Sequence, residues 1–346
     1  MRHYVSSCRA QGQGPACAIL EMPETLKGEI GDPYPASKRA IAQAGLLPQV
    51  VLNPRPAKKD DFPEKIVAAV ADSLRMLGVS PIAPLDLTLA GIGRIRRTGK
   101  EVLGIRTNSQ VIPVAVRLRG DLLEAKLLRA RNWIPYAQAV LQVLSGEYDR
   151  LSWKREDRAA TERFCAEVLQ ELNRASRTLV FIEHDRSDLQ TLNNGKLTFD
   201  SLTLAGRRFS TQDLSNLTVI RIYTDPRKLP AYFHDEGASW TTGLWNWGQQ
   251  RTFYGLKRKP PTALRGAWFA TISRRTGRRS DAETRLTPPI DEICVVLKQE
   301  DTDPLAMARI AHKLQGCHIQ YKYDTRIQFP LHEAILLERN VTFSPT

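Results

Sequence analysis

Four short segments alternate between two hydrophobic periodicities early in the chain, and that alternation restricts the fold more than any other feature of its 346 residues. Ala16 to Glu21 (ACAILE) is an apolar run of strand length, and Leu46 to Leu52 (LLPQVVL) is a second. Between them, Asp32-Pro33-Tyr34-Pro35 has turn chemistry. Ser37 is placed to cap a helix that starts around Lys38, runs through Ala44 and stops at Gly45. Phe62 to Leu77 then repeats apolar residues at helical spacing and is closed by Gly78, with Pro81 just beyond. Strand, helix, strand, helix describes a small Rossmann-like α/β unit, in which a helix N-terminus lies beside strand ends.

A helix start presents free N–H groups and the positive end of the helix dipole, so acids are favoured there and bases are not. Lys38 and Arg39 reverse that preference. An anion nearby would offset their cost, and a solvated Lys-Arg pair on an exposed helix would account for them too. Tyr34, Lys38, Gln49 and Arg75 are the residues whose types and spacing would suit a terminal phosphate.

Charge supplies an independent clue. The net charge is +13, but residues 91–131 hold ten Lys/Arg against three acids and residues 251–285 hold ten against two. These segments carry +7 and +8, which leaves −2 for the rest of the chain. Two arginine-rich segments interleaved with aromatics form an electrostatic footprint for a polyanion, although bases also blunt exposed strand edges. Neither segment makes a basic amphipathic helix, and no run of about 18 apolar residues suggests a membrane span. A length of 346 residues suggests two to three domains, and a hydrophobic content of 42% is enough for their cores. The N-terminus MRHYVSSCRAQGQG has no signal-peptide pattern, and Cys8, Cys17, Cys165, Cys294 and Cys317 include no C-x-x-C pair. The expected location is the cytoplasm.

From about Pro84 the pattern changes. Leu87 to Arg97, Glu101 to Arg106 and Val111 to Leu118 read as three consecutive strands joined at Thr98-Gly99 and Asn108-Ser109. Helices are expected at Trp133 to Leu144 and Asp157 to Ala175, then strands at Thr178 to Ile182 and Leu217 to Tyr223. An antiparallel three-strand start, a helix and parallel additions follow the order of an RNase H-like fold.

With both halves read, the chain resembles the Argonaute/PIWI proteins over nearly its whole length. The resemblance implies a Rossmann-like MID domain over residues 1–84, followed by an RNase H-like PIWI domain over residues 85–346. Tyr34, Lys38, Gln49 and Arg75 stand in the order of the residues that grip a guide 5′ phosphate and stack on its first base, with Arg75 where the family usually has Lys. Arg39 joins them as a second cation. Thr252 to Ser273 resembles the strand pair that tracks the nucleic-acid backbone, and Arg94, Arg96, Lys257, Lys259 and Arg265 are the expected backbone contacts. Pro330-Leu331-His332-Glu333-Ala334 resembles the turn before the family's last helix. Trp133-Ile134-Pro135-Tyr136 is similar to a helix start in the prokaryotic PIWI-RE group, with Arg265 and Glu292 as candidates for its name-giving residues. Longer members carry further domains upstream, so a C-terminal module of a longer protein is implied.

Two-metal cleavage needs several carboxylates converging on divalent ions. Where the family has Gly-Ile-Asp, this chain has Gly91-Ile92-Gly93, and Ile335 occupies the position of the last ligand. Asp185, beside Glu183, is the surviving acid of the implied set. With Gly93 and Ile335 unable to bind metal, recognition without cleavage is expected. The alternative is a guide-directed endonuclease in which Asp86, Glu101 or His332 replaces a missing ligand, and a third reading is a nucleic-acid-binding scaffold that uses no guide. No cofactor is required by the favoured reading, which leaves room for Mg2+ at the guide 5′ phosphate. The implied partners are a short 5′-phosphorylated guide RNA or DNA, a complementary target strand, DNA above all, and helicase or nuclease proteins acting in bacterial defence against plasmids or phage. Trp240, Trp245, Trp247 and Tyr254 suit packing under a loop better than base stacking, and His312, Cys317 and His318 fit no common metal spacing.

Overall fold

The computed structural model describes residues 15–23, 33–53, 62–97, 101–102, 105–106, 110–149, 151–152, 155–184, 189–193, 195–224, 229, 243–246, 248, 251–256, 290–319, 325 and 327–340. Two compact units emerge, one of residues 1–160 with 332–346 and one of residues 161–331. The sequence division at residue 84 falls inside the first unit.

The first unit contains the strand-helix-strand-helix segment: β1 (Cys17–Pro23), α1 (Pro33–Gln43), β2 (Leu47–Asn53) and α2 (Phe62–Met76). β1 and β2 pair in parallel, from Cys17 opposite Leu47 to Pro23 opposite Asn53, and both helices pack on β2. Helix α1 starts at Pro33, five residues before the expected Lys38, so Ser37 lies inside it and cannot be its cap. Proline is suited to that first position because the N–H it lacks has no partner there. Lys38 and Arg39 consequently sit in the second turn. Ile41 and Ala42 form the buried side of α1, and Gly45 ends it at φ +84°.

The same unit holds an antiparallel sheet in the order β3 (Thr88–Arg97), β6 (Gln110–Arg119), β7 (Leu122–Leu127), β8 (Ile134–Pro135), where the short strands β4 (Glu101–Val102) and β5 (Ile105–Arg106) pair only with each other. Residues 101–106 are therefore not the expected middle strand: Leu89 to Arg97 pairs directly with Leu118 to Gln110. The third strand is β7, reached through Gly120 at φ +63°. Its sequence LLEAKL lacks the β-branched and aromatic residues that mark strands, which is why it escaped expectation. β9 (Leu151–Ser152) also pairs with β6. Helix α3 (Tyr136–Ser145) starts after Pro135 and ends at Gly146, whose φ of +85° permits the left-handed cap.

The second unit follows from α4 (Arg155–Ala175). Its mixed sheet runs β14 (Gly243–Asn246), β15 (Thr252–Leu256), β16 (Asp291–Leu297), β13 (Leu217–Tyr223), β10 (Thr178–Glu183). β10 and β13 are parallel, as expected of the additions in an RNase H-like fold, and the other pairs are antiparallel. All seven residues of β13 and of β16 are buried. The unit also holds a hairpin of β11 (Ser201–Leu204) and β12 (Arg207–Ser210) and the helix α5 (Pro304–Lys313), capped by Asp303. The last helix, α6 (Leu331–Asn340), carries His332 onward into the first unit. No helix among the described residues is long and apolar enough to cross a membrane.

Candidate nucleic-acid interface

Because α1 begins at Pro33, Tyr34 and Lys38 lie one turn apart on the same face. The Lys38 ammonium sits 4.8 Å from the Tyr34 ring centroid, a cation-π contact, and both side chains are half-buried. Lys38 has no carboxylate partner among the described residues. Gln49 lies on β2 opposite Ile19, and its Oε1 is buried without a hydrogen-bond partner among the described residues. An amide oxygen withdrawn from water and left unpaired costs about 1–3 kcal/mol, so it is a natural acceptor for something that arrives. A cation, an aromatic face and an amide thus lie on two packed elements of one βαβ unit.

The other two expected phosphate contacts have internal duties. A Cβ placed at Gly146 would lie 3.7 Å from Arg39 Nη2, so Arg39 reaches the C-terminal end of α3, where a cation meets the negative end of the helix dipole. Arg75 is 5% exposed. Its Nε donates to Asp72 Oδ1 at 2.8 Å, and its Nη1 donates to the Tyr136 hydroxyl at 3.0 Å and to Glu333 Oε2 at 3.2 Å. Tyr136 in turn offers its proton to Glu333, whose carbonyl and Oε2 lie 3.1 and 3.2 Å away. Burial alone would lower the Arg75 pKa, but Tyr136, Glu333 and Asp72 outweigh it and the net shift is upward. Burial raises the Tyr136 pKa well above 10, against the pull of Arg75, so the phenol keeps the proton it donates. This cluster ties α2, α3 and α6 together. Gly78 follows α2 at φ +84°, a conformation that favours glycine, and a Cβ there would make ordinary contact, at 3.5 Å, with that of Tyr136.

Tyr136 and Glu333 were not among the expected site residues. The signal was present, because each lies in a motif that carries the family resemblance, but neither motif revealed that they meet.

Of the expected backbone contacts, Arg94 is 3% exposed on β3, opposite Pro113. The register places Arg117 and Lys126 on the same face, and both are buried. Arg117 pairs with Glu124 at 2.8 Å and stacks 4.3 Å from the Trp133 ring. Lys257, Lys259 and Arg265 lie outside the described residues, as do the side chain of Arg96 and all of Asp185. Glu292, a candidate for the name-giving acid, pairs with buried Arg221. Gly93 is buried opposite Val114, and Ile335 is buried in α6. Glu183 ends β10, buried, and accepts from Thr224 Oγ1 at 3.1 Å. No group of three metal-ligating side chains occurs among the described residues. Tyr254 packs against the core while Trp245 opposite it is exposed, and His318 bonds to Thr325.

A family model of the RNase H domain of pPIWI_RE matches residues 89–342, and one of the pPIWI_RE MID domain matches residues 1–84. The chain belongs to the pPIWI_RE family. Among solved structures, Drosophila Piwi aligns with this pPIWI_RE chain at a TM-score of 0.52 and 12% identity, over 99% of this chain and 41% of that one. The C-terminal lobe of a budding yeast Argonaute aligns at 0.47 and 12%, over 98% and 65%. Marinitoga piezophila Argonaute, in complex with a 5′ OH guide RNA, aligns at 0.43 and 10%, over 96% and 43%. At such identity the Piwi match establishes a shared fold, and the pPIWI_RE chain spans about two fifths of that protein's length. No curated protein sequence matches it.

Proposed function

We propose that this chain binds a short guide strand by its 5′ end and pairs it with a target strand along the basic PIWI surface. The observation that carries the reading is the Tyr34-Lys38 pair on α1, with the unpartnered Gln49 oxygen on the strand that α1 packs against, in a chain whose MID and RNase H segments match one family. Lys38 supplies charge for the 5′ phosphate, Tyr34 an aromatic face for the first base, and Gln49 an acceptor on the adjoining strand. Arg39 adds positive potential from the adjoining position. A Mg2+ ion at the phosphate belongs to the same proposal, since the Gln49 oxygen is a ligand of the type such ions take. Sequence is then read by base pairing, while Arg94, Arg96, Lys257, Lys259 and Arg265 contribute to the field that holds the backbone.

Gly93 and Ile335 support recognition without cleavage, with cutting or unwinding left to helicase or nuclease partners in cytoplasmic defence against plasmids or phage. One observation favours the endonuclease reading: β10 ends at Glu183, two residues before Asp185 in the sequence, at the strand end where an RNase H-like fold holds metal. Incubating the guide-loaded chain with a complementary target and Mg2+ or Mn2+ separates the two, and the expected outcome is intact target. Target cleavage lost on Asp185→Ala would establish the endonuclease. Guide use is tested by comparing 5′-phosphorylated and 5′-hydroxyl oligonucleotides of one sequence. The phosphorylated strand is expected to bind more tightly and Lys38→Ala to erase the difference, whereas equal binding by wild type supports a guide-independent scaffold.

A further inference from the structure

Arg75 stands where the resemblance expects a phosphate ligand, yet its surroundings give it different work. Two of its three guanidinium nitrogens are committed, Nε to Asp72 and Nη1 to Tyr136 and Glu333. Nη2 has no partner among the described residues, and the side chain is 6% exposed. The charge balance is unfavourable as well, because one cation faces two carboxylates, and the Glu333 side chain is 3% exposed. A phosphate dianion drawn to Arg75 would have to compete with Glu333 for the same fork, in surroundings too dry to screen the repulsion between the two anions. Lys38 presents the opposite case: its ammonium is half-buried, rests on an aromatic ring and has no carboxylate partner among the described residues.

We infer that Arg75 is a positioning residue withheld from the guide terminus, its charge held inside the protein by Glu333 and Asp72. Arg75 fastens α2 to Tyr136 at the start of α3 and to Glu333 on α6. The preference for phosphate over hydroxyl then rests on Lys38. The inference rests on the guide-end reading of Tyr34, Lys38 and Gln49.

The test measures binding of the full chain to one fluorescent single strand carrying either a 5′ phosphate or a 5′ hydroxyl, and takes the ratio of affinities in each variant. Lys38→Ala is expected to bring the ratio close to one. Arg75→Met is expected to leave it within about twofold of wild type while lowering the melting temperature. Glu333→Gln keeps the volume and removes the buried charge that balances Arg75, so it is expected to lower the melting temperature while leaving the ratio within about twofold of wild type. That variant also reports on the inference if Arg75→Met does not fold. A ratio that Arg75→Met reduces as much as Lys38→Ala does, in protein that still melts cooperatively, overturns the inference alone. So does a ratio that Glu333→Gln shifts by about threefold or more, because the cluster would then act on the guide terminus. A wild-type ratio of one that Lys38→Ala leaves unchanged overturns the guide-end reading and the inference with it.

Discussion

Tyr34, Lys38 and Gln49 lie half-buried on one βαβ unit, whereas Arg75, Tyr136 and Glu333 lie deeply buried and bonded to one another. Both groups occupy the first unit, and both combine a cation with an aromatic ring and a further polar side chain. Their difference is one of satisfaction. In the second group every member has a partner inside the protein, so removing one strands the others in a dry environment. In the first, the amide oxygen of Gln49 is left over and the Lys38 charge is uncompensated by any described carboxylate. Polar groups satisfied internally hold a fold together, and those left open near the surface are available to a ligand.

The contrast fails first, if it fails, on stability. Glu333→Ala leaves Arg75 buried with its charge only partly balanced, and the expected loss is about 3–5 kcal/mol in chemical denaturation. Tyr136→Phe removes one hydroxyl that bridges the pair and is expected to cost about 1–3 kcal/mol. The same variant carries a pH signature. The folded-state pKa of Tyr136 is raised above 10, so its contribution is fully present below that pH and is lost as pH rises above it. Wild-type stability is therefore expected to fall more steeply than that of Tyr136→Phe in alkaline buffer, and parallel curves would remove the phenol from the cluster. Gly78→Ala is next, at about 1 kcal/mol or more, because alanine is strained at φ +84°. Lys38→Ala is the smallest, within about 0.5 kcal/mol. A Lys38→Ala loss as large as that of Glu333→Ala would erase the distinction between the two groups.

Much of this architecture was legible because hydrophobic period and glycine placement are local signals. The β1-α1-β2-α2 order, the long helix before β10, and β10 and β13 all follow from such signals. The start of α1 did not, since Pro33 and Pro35 read as turn residues although proline is also at home in a first helical turn. Strand β7 was hidden by a composition that favours helix. The site divides in the same way. Tyr34 and Lys38 were found together because four residues along a helix is a spacing within one element. Arg75 was grouped with them on sequence order alone, and its partner Glu333 is 258 residues away. No local pattern records that contact.

Photocrosslinking tests the central claim most directly. A 5′-phosphorylated guide carrying 5-iodouridine at its first position, irradiated on the full chain and mapped by mass spectrometry, should join to Tyr34, and Lys38→Ala should reduce that adduct. Adducts confined to residues 161–331, with Tyr34 unmodified, would contradict the account.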